Sequence, residues 1–139
     1  MFNRIKKQAL ALYSDKNKRD WGRSITLRSD NSNVELSEYF YREKFLTLNP
    51  KASIILESHA KYSEVWVANN SFEYYLEDGN GQVIKQVAKK FERIFIQKGL
   101  KHKIINPNET LLDIFEIQIG QIKDDDKTKY FKEDKNVQH

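Results

Sequence analysis

Apolar residues recur at helical spacing in three stretches of this chain. Over residues 2–14, Phe2, Ile5, Ala9, Leu12 and Tyr13 share one side while Arg4 and Lys7 lie away from it. Over residues 34–48, Leu36, Phe40, Phe45 and Leu48 fall roughly on one face, Glu38 stands four residues before Arg42, and Asn49-Pro50 ends the run. Over residues 83–98, Val83, Ile84, Val87, Ala88, Phe91, Ile94 and Phe95 project into one arc, with Lys85, Lys89 and Arg93 opposite and Gly99 placed as the stop. The spacing therefore predicts three helices.

Between them the pattern shortens to β-like runs. Residues 21–28 alternate Ile25 and Leu27 with Thr26 and Arg28, and the polar run Ser29 to Asn33 reads as a loop. Residues 52–58, 64–68 and 72–77 follow one another with short connectors, which predicts an antiparallel three-strand meander. Residues 100–105 read as another strand. The segment 111–122 fits both periods, aligning Phe115, Ile117 and Ile119 as a strand or Leu111, Phe115, Ile119 and Ile122 as a helix; its isoleucine content favours the strand and a C-terminal hairpin. The expected architecture is α+β, an antiparallel sheet with two or three helices packed on one face. Residues 1–122 form a single domain in this reading. Residues 123–139, in which only Tyr130, Phe131 and Val137 are large or apolar, form a charged, largely solvated tail.

Composition narrows the possibilities. A chain of 139 residues with eight Phe, seven Tyr and two Trp can fill one real core. The absence of cysteine removes disulfides, thiolate metal sites and thiol nucleophiles. No secretory apolar region and no span of roughly 20 apolar residues is present, so a cytoplasmic protein without a membrane partner is expected.

The net charge of +4 conceals alternating blocks: +6 over residues 1–28, −5 over 29–81, +6 over 82–103 and −3 over 104–139. Such segregation builds a basic face for an anionic partner, or pairs within or between chains. On the predicted third helix and just beyond it, Lys85, Lys89, Lys90, Arg93, Lys101 and Lys103 form the candidate binding face, extended by Arg19 and Arg23. Aromatic residues beside basic ones, such as Trp21 between Arg19 and Arg23, suit base stacking.

Other chemistry is sparse. Glu57 and His59 share a strand face at i, i+2, which suits an acid/base pair or a plain ion pair. The histidines, His59, His102 and His139, are too scattered for a local metal motif, so no metal is expected. Asp124-Asp125-Asp126 lacks the spaced oxygens of a calcium loop and reads as a solvated charge run. No Walker loop, nucleophile elbow or HExxH helix occurs.

The turn Gly79-Asn80-Gly81, leading from a strand into a basic helix, has the chemistry of a phosphate cradle. Over residues 52–106 this order resembles the GNAT acetyltransferase superfamily. That resemblance implies acyl-CoA held at Gly79, Asn80 and Gly81, whereas the residues alone favour an ordinary turn capping a packed helix, since Asp-Gly and Asn-Gly are common turn dipeptides. The reading favoured overall is a non-enzymatic binding or accessory protein, of the kind bacteria and their phages use. Its basic helical face would engage nucleic acid first and an acidic protein surface second. The alternatives are the GNAT-like transferase, an inhibitor or immunity-type interaction module, and a charge-paired homo-oligomer.

Overall fold

The computed structural model of the protein describes residues 1–30 and 39–136. The predicted helical positions 34–38 and His139 lie outside them. Among the described residues there are two α-helices, α1 (Phe2–Leu12) and α2 (Phe131–Asp134), and eleven strands. The strands are β1 (Lys18–Arg19), β2 (Gly22–Ser29), β3 (Tyr39–Leu48), β4 (Glu57–Ser58), β5 (Tyr62–Ala68) and β6 (Phe72–Glu77). They continue with β7 (Val83–Ala88), β8 (Ile94–Ile96), β9 (His102–Ile105), β10 (Leu112–Ile122) and β11 (Thr128–Lys129). Every pairing is antiparallel. A six-stranded sheet runs β1-β2-β3-β10-β5-β8, and a five-stranded sheet runs β11-β4-β9-β6-β7. The fold is a two-sheet sandwich, which overturns the α+β expectation.

Two predicted helices are strands, for reasons that can be traced. In β3, Leu46 and Leu48 face the space between the sheets, while Phe45 on the opposite side is 1% exposed because α1 covers it. A strand buried on both faces puts apolar residues at consecutive positions, and such a run also satisfies a 3.6-residue period. In the stretch 83–98, a tight turn does what a helix start was expected to do. Asp78 accepts hydrogen bonds from the backbone N–H groups of Asn80 and Gln82 at 2.8 and 2.9 Å, and Gly81 adopts a φ of +81°. That turn folds β7 back on β6 in a continuous register from Glu77↔Val83 to Phe72↔Ala88. A second turn at Lys89–Arg93 then sends β8 into the other sheet.

The meander and the terminal hairpin also fail. The strands β4, β5 and β6 never pair with one another, since β5 lies between β10 and β8 while β4 and β6 flank β9. Likewise β9 and β10 lie in different sheets. The segment 111–122 is a strand, the central one of the larger sheet. The helix expected at the N-terminus forms as α1 and seals the outer face of that sheet through Ala9, Phe2 and Ile5 on Phe45 and Ile25. Lys6 fastens it by an ion pair at 2.7 Å to buried Asp113.

The interior divides into two halves. One is an apolar core of Leu46, Leu48, Trp66, Phe72, Ile94, Ile104, Leu112, Ile114 and their neighbours. The other is polar. Because side chains alternate across a strand, the same inner face of β3 that buries Leu46 and Leu48 carries Arg42 and Lys44, and β10 likewise changes from Ile114 to Glu116 and Gln118. No helix among the described residues is long and apolar enough to cross a membrane.

Candidate functional site

The polar half of the interior opens to solvent as a cavity of ≈1080 Å³ between the sheets. Its floor is the larger sheet, where β10 sets Glu116 opposite Lys44 on β3, and Gln118 opposite Arg42 on β3 and Glu64 on β5. The facing wall comes from Glu57 on β4, His59 just after it, and His102 at the start of β9, whose Cα faces that of Glu57. The sandwich thus brings together donors separated by up to 45 positions in sequence.

One donor atom each from Glu57, His59 and His102 lies within 4.8 Å of the others. Glu64 joins them: its Oε1 is 3.1 Å from His102 Nε2 and 3.8 Å from His59 Nε2, and Glu57 Oε1 is 3.7 Å from His59 Nε2. Ligands about 2.1 Å from a shared ion stand roughly 3 to 4.3 Å from one another. These separations therefore have the spacing of a ligand set. The other imidazole nitrogens are held from behind. His102 Nδ1 donates to the Leu100 carbonyl at 3.0 Å, and His59 Nδ1 lies 2.8 Å from both the Asp126 carbonyl and Tyr62 Oη. A carbonyl only accepts, so the proton sits on Nδ1 and each Nε2 turns a lone pair inward. Glu64 Oε1, fully buried, consequently faces lone pairs and has no hydrogen-bond partner.

The electrostatics agree. Burial, reinforced by neighbouring His102, lowers His59 to about 4, and burial lowers His102 as well, so both rings are neutral at physiological pH. Burial raises the carboxyl of Glu57, and it raises Glu64 to about 7. Glu116 is pushed up to about 8 by burial and by the charge of Glu64, with which it shares a hydrogen bond. Two buried carboxyl groups in contact retain a proton between them. A chain of contacts leads outward from this pair. Gln118 Nε2 donates to Glu116 at 2.7 Å, Arg42 Nε donates to Gln118 at 2.8 Å, and Arg42 Nη1 meets Asp124 at 2.6 Å. Neutral imidazoles and a carboxylate without a donor form a site completed by a cation, so the residues present fit a divalent metal.

The C-terminal segment builds part of the wall. Asp126 holds His59 through its carbonyl and caps the Ala60 and Lys61 N–H groups with its carboxylate, each at 2.9 Å. Tyr130 and Ser58 hydrogen-bond through their hydroxyls at 2.8 Å, Lys101 pairs with Glu133 at 2.8 Å, and Lys103 pairs with Asp134 at 2.5 Å.

The sequence-selected residues scatter. Arg19 and Lys103 line the cavity, and Lys101 sits over the Tyr130 ring. Lys85 pairs with Glu73 across β6 and β7 at 2.8 Å. Lys89, Lys90 and Arg93 are exposed around the turn before β8, and Arg23 stacks over Tyr13 at 5.3 Å. The stretch expected to carry the basic helical face is β7, a turn and β8, so the nucleic-acid-binding reading loses the helix it was built on. Gly79, Asn80 and Gly81 form the β6–β7 turn, and no helix N-terminus follows to receive a pyrophosphate; the transferase reading falls with it. The sequence reading did find the Glu57–His59 neighbourhood. It missed Glu64, His102, Glu116, Gln118, Arg42 and Lys44, and the one available signal was charge on alternate positions of strands that are otherwise apolar.

A two-sheet antiparallel sandwich with histidines and carboxylates converging between the sheets defines a cupin-type protein. A family model described as the C-terminal region of mannose-6-phosphate isomerase matches residues 8–133, and the chain belongs to that family. Solved structures agree on the fold. A protein of Shewanella oneidensis superposes with a TM-score of 0.69 at 12% identity, covering 92% of this chain and 82% of its own. The capsular polysaccharide assembling protein CapF of Staphylococcus aureus gives 0.66 at 14% identity over 81% of this chain and 32% of its own. An oxalate decarboxylase gives 0.67 at 14% identity over 86% of this chain and 30% of its own. The chain thus spans about a third of the length of CapF. No curated protein sequence matches it. These findings replace the non-enzymatic nucleic-acid-binding expectation with a cupin-type protein, for which enzymatic activity is plausible.

Proposed function

We propose that this chain is a divalent-metal cupin that isomerises a small phosphorylated sugar. The observation that carries the reading is the convergence of Glu57, His59, Glu64 and His102, with Glu64 Oε1 buried against two imidazole lone pairs. Two nitrogens and two carboxylate oxygens suit Zn²⁺, Mn²⁺, Fe²⁺ or Co²⁺. When bound, the ion would supply Lewis-acid polarisation of a ligand carbonyl and its neighbouring hydroxyl.

The chain's own residues do the rest. Asp126 and Leu100 fix the two rings so that both Nε2 atoms point inward. Lys18, Arg19, Lys127 and Lys129 line the cavity with positive charge, which suits a phosphate group. The family's description supplies the substrate class, an aldose or ketose phosphate.

The test begins with chelator-stripped protein and addition of Mn²⁺, Zn²⁺, Fe²⁺ or Co²⁺. One ion bound per chain is expected by elemental analysis, with a raised melting temperature, and His102→Ala and Glu64→Ala should abolish both. Mannose 6-phosphate is then offered to the loaded protein, and formation of the ketose is followed by NMR. Metal that stays bound after His102→Ala would refute the assignment of the ligands. A ligand-induced melting shift without conversion would make the protein a binding domain instead of an enzyme.

A further inference from the structure

We propose that Lys44 is the acid/base residue of this cavity, the group that carries a proton between two adjacent carbons of the bound sugar. The proposal rests on the phosphosugar reading above and concerns a residue outside the metal-ligand set.

The inner face of β3 places Lys44 between Thr26 of β2 and Glu116 of β10, on the cavity floor. Three other lysines at this cavity hold carboxylates, Lys103 with Asp134 at 2.5 Å, Lys18 with Asp15 at 3.2 Å and Lys127 approaching Glu57 at 3.9 Å, and the fourth, Lys129, is exposed to solvent. Among the described residues, no carboxylate stands within ion-pairing distance of the Lys44 ammonium. The charges acting on it come from β3, β10 and the C-terminal segment. Glu116 and Asp124 favour the ammonium, Arg42 and Lys127 oppose it, and burial, the largest influence, lowers its pKa. An amine enclosed in a cavity without a counter-ion has a neutral form within reach, as a base at carbon requires.

The step balances without an oxidant. The Lys44 amine takes the proton from carbon 2 of the aldose, and the C–H electron pair becomes the enediol double bond as the carbonyl π pair moves onto the oxygen of carbon 1. The ammonium then returns that proton to carbon 1. The hydroxyl proton moves from the oxygen on carbon 2 to that on carbon 1, leaving the carbonyl at carbon 2. Substrate and product are isomers, and Lys44 ends as it began.

The chain has no cysteine, which makes a direct test available. Lys44→Cys alkylated with 2-bromoethylamine restores a primary amine at this position alone. The metal-loaded protein, Lys44→Met, Lys44→Cys and the alkylated form are incubated with mannose 6-phosphate in D₂O, and loss of the carbon-2 proton signal is followed. Lys44→Met and Lys44→Cys should slow exchange by about 10²-fold or more, with metal content and melting temperature retained. Alkylation should restore exchange and move the acidic limb of its pH profile downward, because the thioether makes the new amine less basic. Exchange that survives in Lys44→Met, or rescue without movement of the limb, would overturn the proposal while leaving the metal site standing. No exchange by the unaltered protein would overturn the isomerase reading and this proposal with it.

A readout independent of turnover is competitive acetylation of the metal-free protein with acetic anhydride, read by mass spectrometry. Lys44 should label with a midpoint at lower pH than Nα-acetyl-lysine added as an internal standard, and an equal midpoint would count against the role even if Lys44→Met failed to fold.

Discussion

Replacing Glu64 by glutamine should stabilise the metal-free protein while disabling its site. Glu64 is fully buried beside Glu116, and its pKa rises from an ordinary 4.5 to about 7, chiefly through burial. The folded protein therefore holds a proton that the unfolded chain releases. A carboxyl group of this kind contributes its full stability below pH 4.5 and loses it as pH rises through 7. At ~1.4 kcal/mol per pH unit, the loss levels off near 3 kcal/mol above pH 7. The amide that Glu64→Gln introduces is neutral at every pH, and it can donate to Glu116 where the shared proton did. Glu64→Gln should thus match the unaltered protein at pH 4.5 and exceed it by about 3 kcal/mol at pH 8. The assay is urea unfolding of chelator-treated protein at both pH values, followed through Trp fluorescence, with midpoints compared at constant slope. Adding metal should reverse the order at pH 8 once the ion is well above a hundred times its Kd, the concentration at which it stabilises the unaltered chain by about 2.7 kcal/mol. A variant no more stable than the parent at pH 8 would show that Glu64 ionises freely, and would refute the argument that burial against lone pairs makes this a cation site.

Two further outcomes test how the site is held. Deleting residues 123–139 removes the Asp126 carbonyl behind His59 and the Asp124 contact to Arg42; metal affinity should fall about 10- to 100-fold or more, as loss of an outer-shell partner does. Far-UV circular dichroism should remain β-type, and undiminished affinity would show that the segment does not orient the ring. Gly120→Ala places a Cβ 2.5 Å from the Lys61 carbonyl at a φ of +134°, where β10 crosses the start of β5. It should cost about 1–3 kcal/mol in thermal or urea unfolding, and an unchanged midpoint would mean that the backbone yields there without strain.

The strongest helical pattern in the chain, residues 83–98, is two strands and a turn, and the reason is local. Asp78-Gly79-Asn80-Gly81 carries the residues a tight hairpin turn requires, and much of the apolar arc behind it, Ile84, Val87, Phe91 and Phe95, is exposed instead of packed on a core. The run 39–48 misled differently, because α1 buries one face of β3 while the sandwich interior buries the other. Where a strand is buried on one face, as with the alternating pattern of β5, its type is readable from sequence, and so is its end at Ala68, although it starts at Tyr62, two residues before the expected 64. Charge was read by proximity along the chain, which grouped Lys85, Lys89, Lys90 and Arg93 into a face that β7 and the following turn disperse. It also separated His59 from His102, which the sheets bring together at a ring distance of 5.1 Å.

By itself the amino-acid sequence determined one core-forming chain without thiol chemistry, an amphipathic N-terminal helix, several strand segments and the punctuation between them. These depend on neighbours within a few residues and on composition. Which strands pair, and hence the cavity, was decided by tertiary structure alone. Long-range antiparallel pairing sets β10 between β3 and β5 and faces it with β4 and β9. Only then do two isolated histidines and two glutamates, ordinary one by one, share a space in which their lone pairs call for a cation.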